Sequence, residues 1–72
     1  MSLPIYKVAL PTPLPRLFDY IAENHAADKS VIGCRVEVPF GRQKLIGCII
    51  DVTDHSDIQA SKLRSVNRRI DA

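Results

Sequence analysis

Apolar and polar positions alternate most cleanly over residues 34–40. There Cys34, Val36, Val38 and Phe40 fall on one side and Arg35, Glu37 and Pro39 on the other. Period two predicts a strand with one buried face. The next apolar run, LIGCIIDV over residues 45–52, is broken only by Gly47 and Asp51, and predicts a strand buried on both faces. Gly41-Arg42-Gln43-Lys44 lies between the two and predicts a turn, because glycine reaches the positive φ that tight hairpins use. Upstream, residues 5–10 (IYKVAL) are rich in β-branched and aromatic side chains and predict a first strand ended by Pro11. Residues 17–21 predict another, with Leu17, Asp19 and Ile21 on one face and Phe18 and Tyr20 on the other.

The intervening segments read as connections. Pro11-Thr12-Pro13-Leu14-Pro15 lacks the backbone donors for a helix or a central strand, and each residue before a proline is driven to extended φ/ψ. It predicts a stiff extended connector with Leu14 plugging the core. A proline-rich ligand for another protein is the sharper but less favoured reading. Residues 23–30 predict a loop or a single helical turn, and residues 53–57 a turn. Residues 63–70 stay open: Leu63, Val66 and Ile70 suit a helix, while Val66, Arg68 and Ile70 suit a strand. Strands at roughly ten-residue intervals predict an all-β domain, a small OB-like barrel or two-sheet unit with at most one short helical turn. Closure into a barrel would remove exposed edges.

Seventy-two residues make one small domain, 1–72, whose stability is expected to be marginal. At 46% hydrophobic and 25% charged the chain is globular in composition. Ten Lys and Arg against eight Asp and Glu give a net charge of +2, and the pI is near 8.7. That balance permits nucleic-acid contact without arguing for it. No apolar stretch approaches the roughly 18 residues of a membrane helix. The first residues lack the pattern of a secretory signal, so a reducing, cytoplasmic setting is expected.

Catalytic motifs are absent: there is no phosphate loop, no nucleophile elbow and no Ser–His–Asp arrangement. His25 and His55 sit in polar stretches without zinc spacing and read as exposed loop histidines. Cys34 and Cys48 fall on neighbouring predicted strands, both facing inward, and read as buried free thiols rather than as a metal pair or a disulfide. The basic side chains are scattered, with Lys62 to Arg69 the nearest approach to a cluster, and most read as solvated surface charge. Asp19 is the anomaly. A carboxylate between apolar neighbours in a strand needs backbone donors, a basic side chain or a ligand.

Two strings are more specific than any single motif in them: ALPTPLPRLFDY over residues 9–20 and GCRVEVPFGRQ over residues 33–43, with Ile46-Gly47 following. Together they closely resemble the start of the bacterial primosomal protein N′ (PriA) family of replication-restart helicases. The likeness spans nearly the whole chain and fades across residues 22–32 and after Val52. The resemblance implies a compact β domain that captures the 3′ end of DNA at stalled or repaired forks. In the family that domain precedes ATP-dependent 3′-to-5′ helicase, zinc-binding and C-terminal parts. These 72 residues are therefore expected to be part of a larger protein. They are expected to bind without catalysis or cofactor, with zinc and ATP belonging to the missing parts. Implied partners are single-stranded or forked DNA with a free 3′ end and, through the parent, other primosome and single-strand-binding proteins.

Carried over position by position, the resemblance implies an end-binding set of Phe18, Asp19, Gly41 and Arg64. Arg64 stands where the family has a lysine, which keeps the charge but changes the donor. Arg42 and Lys44 are expected as secondary contacts to the DNA backbone. The chemistry fits the assignment: a carboxylate accepts from a 3′-hydroxyl and repels a 3′-phosphate. An aromatic wall packs on sugar or base without choosing a sequence, and a bare glycine lets backbone approach closely. A rival class is a small β-barrel adaptor that binds a protein through an edge or the proline connector. It predicts no binding to single-stranded DNA and no salt dependence.

Overall fold

The computed structural model describes residues 4–14, 16–22, 29–54, 56 and 63–70. Six strands form one curled sheet: β1 (Ile5–Ala9), β2 (Phe18–Ile21), β3 (Arg35–Phe40), β4 (Gln43–Thr53), β5 (Arg64–Ser65) and β6 (Arg68–Arg69). A 3-10 turn at Lys29–Val31 is the single helical piece among the described residues. The all-β, barrel-like expectation holds, and residues 63–70 are two short strands rather than a helix. None of the described helical structure is long and apolar enough to cross a membrane.

The sheet order is β5-β2-β1-β4-β3-β6. Its ends are not left apart. β5 lies parallel on β2 and β6 lies antiparallel on β3. Only Val66 and Asn67 separate them, and their amides donate to Ile21 O at 3.0 Å and Glu37 O at 2.9 Å. One short segment thus bonds to both edges of the curl and leaves neither β2 nor β3 fully open, which is how a small sheet avoids edge-to-edge pairing.

The core fills the inside of this curl. Tyr6 and Val8 from β1, Tyr20 from β2, Val36 and Val38 from β3 and Ile49 from β4 are buried, with Val31 and Val66 beside them. Phe18 and Tyr20 do pack on the core, and Asp19 between them pairs across to Lys7 of β1.

β4 departs from expectation. It is buried on one face only, with Ile46 and Ile50 about half exposed. The sheet is a single layer with one core, so its outer face meets solvent. The register against β1 also slips between Lys7 and Val8: Val8 pairs with Ile49 and Lys7 with Asp51, leaving Ile50 as a bulge. The bulge resets the alternation, which is why Ile49 and Val52 both point inward three residues apart. Cys48 is corrected as well. It lies opposite Arg35 and Ala9, on the outer face, whereas Cys34 packs against the core. Both thiols are free.

The connector differs too. Its amides fold back locally, Thr12 N–H to Leu10 O at 2.8 Å and Arg16 N–H to Leu14 O at 2.9 Å. Proline's fixed φ at Pro11 suits such a three-residue turn, so the segment is bent rather than extended. Leu14 is exposed and plugs nothing. His25, His55 and Lys62 lie outside the described residues.

Candidate functional site

The β3–β4 hairpin turns on Gly41, whose φ is +61°. With Phe40 opposite Gln43, the loop is only two residues long, a geometry that calls for positive φ and hence glycine. This turn carries Phe40 and Gly41 to one end of the curl. β2 begins at the same end with Phe18, straight after the proline connector, and Leu63 and the first residue of β5, Arg64, lie beside it. The result is an open pocket of about 160 Å³ lined by Phe18, Asp19, Tyr20, Pro39, Phe40, Gly41, Leu63 and Arg64. That is smaller than the roughly 300 Å³ at the low end for clefts that engulf a drug-sized ligand, so it suits the end of a ligand.

Two aromatic rings set its apolar side. Phe18 and Phe40 meet edge to face, centroids 5.3 Å apart at 89°. The Arg16 guanidinium lies over Phe18, 4.8 Å from the ring centroid. Arg64 donates from Nη1 to Gly41 O at 3.0 Å, tying β5 to the hairpin tip. Behind them Tyr20 donates its hydroxyl to Pro39 O at 2.9 Å. Burial pushes the Tyr20 phenol above its ordinary pKa of 10.0, and the nearby Arg64 charge offsets part of that rise.

Asp19 is held differently from a bare acceptor. Lys7 Nζ sits 2.9 Å from Oδ1 and 3.1 Å from Oδ2, and the Ser56 hydroxyl donates to Oδ2. The side chain is only 8% exposed. The donor a buried strand carboxylate requires is therefore supplied from within the chain. A carboxylate offers about four lone-pair sites, so one further donor can still be accepted.

The four residues expected as the end-binding set, Phe18, Asp19, Gly41 and Arg64, all line this one pocket. Arg42 and Lys44 do not line it. They are exposed on the hairpin, next to Gly41 and opposite Pro39 respectively. Sequence reasoning missed Tyr20, Pro39, Phe40 and Leu63 as lining, and Arg16 and Lys7 as supports. β2 and β3 are not neighbours in the sheet, so only its curling brings their residues together. Among the described residues, no group of three or more His, Cys, Asp or Glu is placed to hold a metal.

The model of the 3'DNA-binding domain (3'BD) matches residues 7–72. The chain belongs to the PriA 3'DNA-binding domain family. Replication restart protein PriA of Haemophilus influenzae is 42% identical over 67 residues, which cover 93% of this chain and 9% of that protein. The chain thus spans a small fraction of the curated relative it matches. The match to the PriA domain takes in every residue of the pocket.

Proposed function

We propose that this chain binds the 3′-hydroxyl terminus of DNA and thereby directs a larger replication-restart helicase to stalled or repaired forks. The convergence of Phe18, Asp19, Gly41 and Arg64 on one small pocket supports this reading, since β2, the hairpin and β5 are distant in sequence. The terminal sugar enters against Phe18 and Phe40. Its hydroxyl donates to Asp19, joining Lys7 and Ser56 around the carboxylate or displacing Ser56. Arg64 supplies positive charge at the wall and holds the hairpin. A strand that continued past its 3′ position would have to fit a phosphate into a pocket of this size beside a carboxylate, which disfavours internal sites. Weak phosphate contacts from Arg42 and Lys44 would add affinity that falls with salt.

The test compares short single strands that differ only in ending with a 3′-hydroxyl or a 3′-phosphate. The hydroxyl strand should bind more tightly, and equal affinities would reject the role given to Asp19. Asp19→Ala should weaken binding of the hydroxyl end far more than Arg42→Ala, with the circular dichroism of the fold retained. Loss of the fold in Asp19→Ala would make the Lys7–Asp19 pair structural instead.

A further inference from the structure

Arg16 stands apart from the other exposed cations. Its guanidinium is seated on the Phe18 ring, 4.8 Å from the centroid, and Phe18 lines the pocket and meets Phe40 edge to face. Its backbone is tied by the Arg16 N–H to Leu14 O bond at the end of the proline connector. Among the described residues no carboxylate pairs with it, although carboxylates do pair with Lys7, Lys29 and Arg68. A guanidinium held over a ring still has N–H donors to offer an anion, and the contact biases its position before binding. A preset cation loses less conformational freedom on binding than a hairpin-tip side chain such as Arg42 or Lys44.

We propose that Arg16 is the seat of the last internucleotide phosphate, the group that joins the terminal nucleotide to its 5′ neighbour. This rests on the reading of the pocket as the seat of a 3′ terminus. A nucleotide whose sugar lies against Phe18 carries its 5′-phosphate a few bonds away, and Arg16 is the cation resting on that ring. The last linkage then lies on the β1–β2 connector rather than on the β3–β4 hairpin, which leaves Arg42 and Lys44 to weaker contacts with phosphates farther along the strand. Recognition of the end divides in two: the pocket reads the hydroxyl, and Arg16 reads the first phosphate without reading sequence.

The experiment is a double comparison in the 72-residue chain. A short single strand with a 3′-hydroxyl is paired with the same strand carrying an uncharged methylphosphonate at its last linkage. Both are titrated against the unmodified chain and against Arg16→Gln, by anisotropy at several salt concentrations. Arg16→Gln should weaken the normal strand about tenfold, as expected for a lost charge-assisted bond. It should also flatten the salt dependence by about 0.7 in the logarithmic slope, one phosphate contact of a single strand. The methylphosphonate should cost the unmodified chain a similar factor and the variant less than about twofold, because both remove the same contact. Preference for a 3′-hydroxyl over a 3′-phosphate should persist in Arg16→Gln. Arg16→Lys should recover part of the affinity, since it restores charge without the stacked plane.

Additive losses in an unmodified chain that still prefers the 3′-hydroxyl would overturn the assignment of Arg16 alone. So would an Arg42→Gln variant that becomes insensitive to the methylphosphonate, which would place the last linkage on the hairpin. No end preference in the unmodified chain would overturn the reading of the pocket and this assignment with it.

Discussion

At the scale of single residues, Asp19 shows how far sequence carries an argument. An acid between two aromatic positions in a strand is legible as a group needing a partner. Which partner is not legible, because it depends on the β1–β2 register that sets Lys7 directly across from Asp19. The pairing bears on the proposed function. On the proposed reading, the Lys7 charge 2.9 Å from Asp19 offsets part of the field through which the carboxylate would repel a terminal phosphate, so discrimination should be weaker than a bare carboxylate would give. Lys7→Met should therefore sharpen the preference for a 3′-hydroxyl over a 3′-phosphate by about fivefold, the scale of one charge at several ångströms in a partly solvated site. Asp19→Asn should erase most of the preference. Paired titrations of the two strand ends measure both. A Lys7→Met chain that binds the two ends in the parent ratio would show that shape, not charge, sorts them.

At the scale of elements, β4 explains why pattern reading both succeeds and errs. Its strand character was plain from residues 45–52, but the continuous apolar run concealed the bulge at Ile50 and suggested two buried faces. Bulges leave no signature in hydrophobicity alone, because the extra residue is free to be apolar. Gly47 was visible only as a break in the run, and the structure gives it a reason. A Cβ there would lie 2.5 Å from Val8 Cγ1, 2.6 Å from Leu10 Cδ2 and 2.7 Å from Ala9 O. β1 thus passes close over β4 at this glycine, which permits the tight curl. Two of those neighbours are side chains that can shift, but the carbonyl cannot without moving β1. Gly47→Ala should cost about 2 kcal/mol through overpacking, lowering Tm by about 8–16 °C in a domain of this size. Thermal unfolding followed by circular dichroism checks it. An unchanged Tm would mean that β1 and β4 separate freely and that the curl is held elsewhere.

At the scale of the whole molecule, the all-β class follows from strand spacing, whereas the pocket follows from closure. Its walls come from β2 and β3, which the sheet order separates by β1 and β4. Nothing local in the sequence announces that juxtaposition. Besides the C-terminal segment, the edge-to-face Phe18–Phe40 contact and a hydrogen-bonded strut, the Tyr20 hydroxyl donating to Pro39 O, hold it. The strut is pH-sensitive in a definite direction. Burial raises the Tyr20 phenol above 10.0, so the folded chain holds that proton more tightly than the unfolded chain does. Between the two pKa values the native state binds more protons, and stability must fall as pH rises. Below about pH 10 the strut is intact and this contribution is constant. Tyr20→Phe removes the hydrogen bond and the titration together. It should cost about 1 kcal/mol at neutral pH, and it should then lose less stability than the parent chain on going from about pH 8 to pH 11. Tyr6 is common to both chains and cancels in the difference. Urea unfolding at the two pH values reads out the comparison. Equal alkaline losses would show that the phenol titrates alike in folded and unfolded chains.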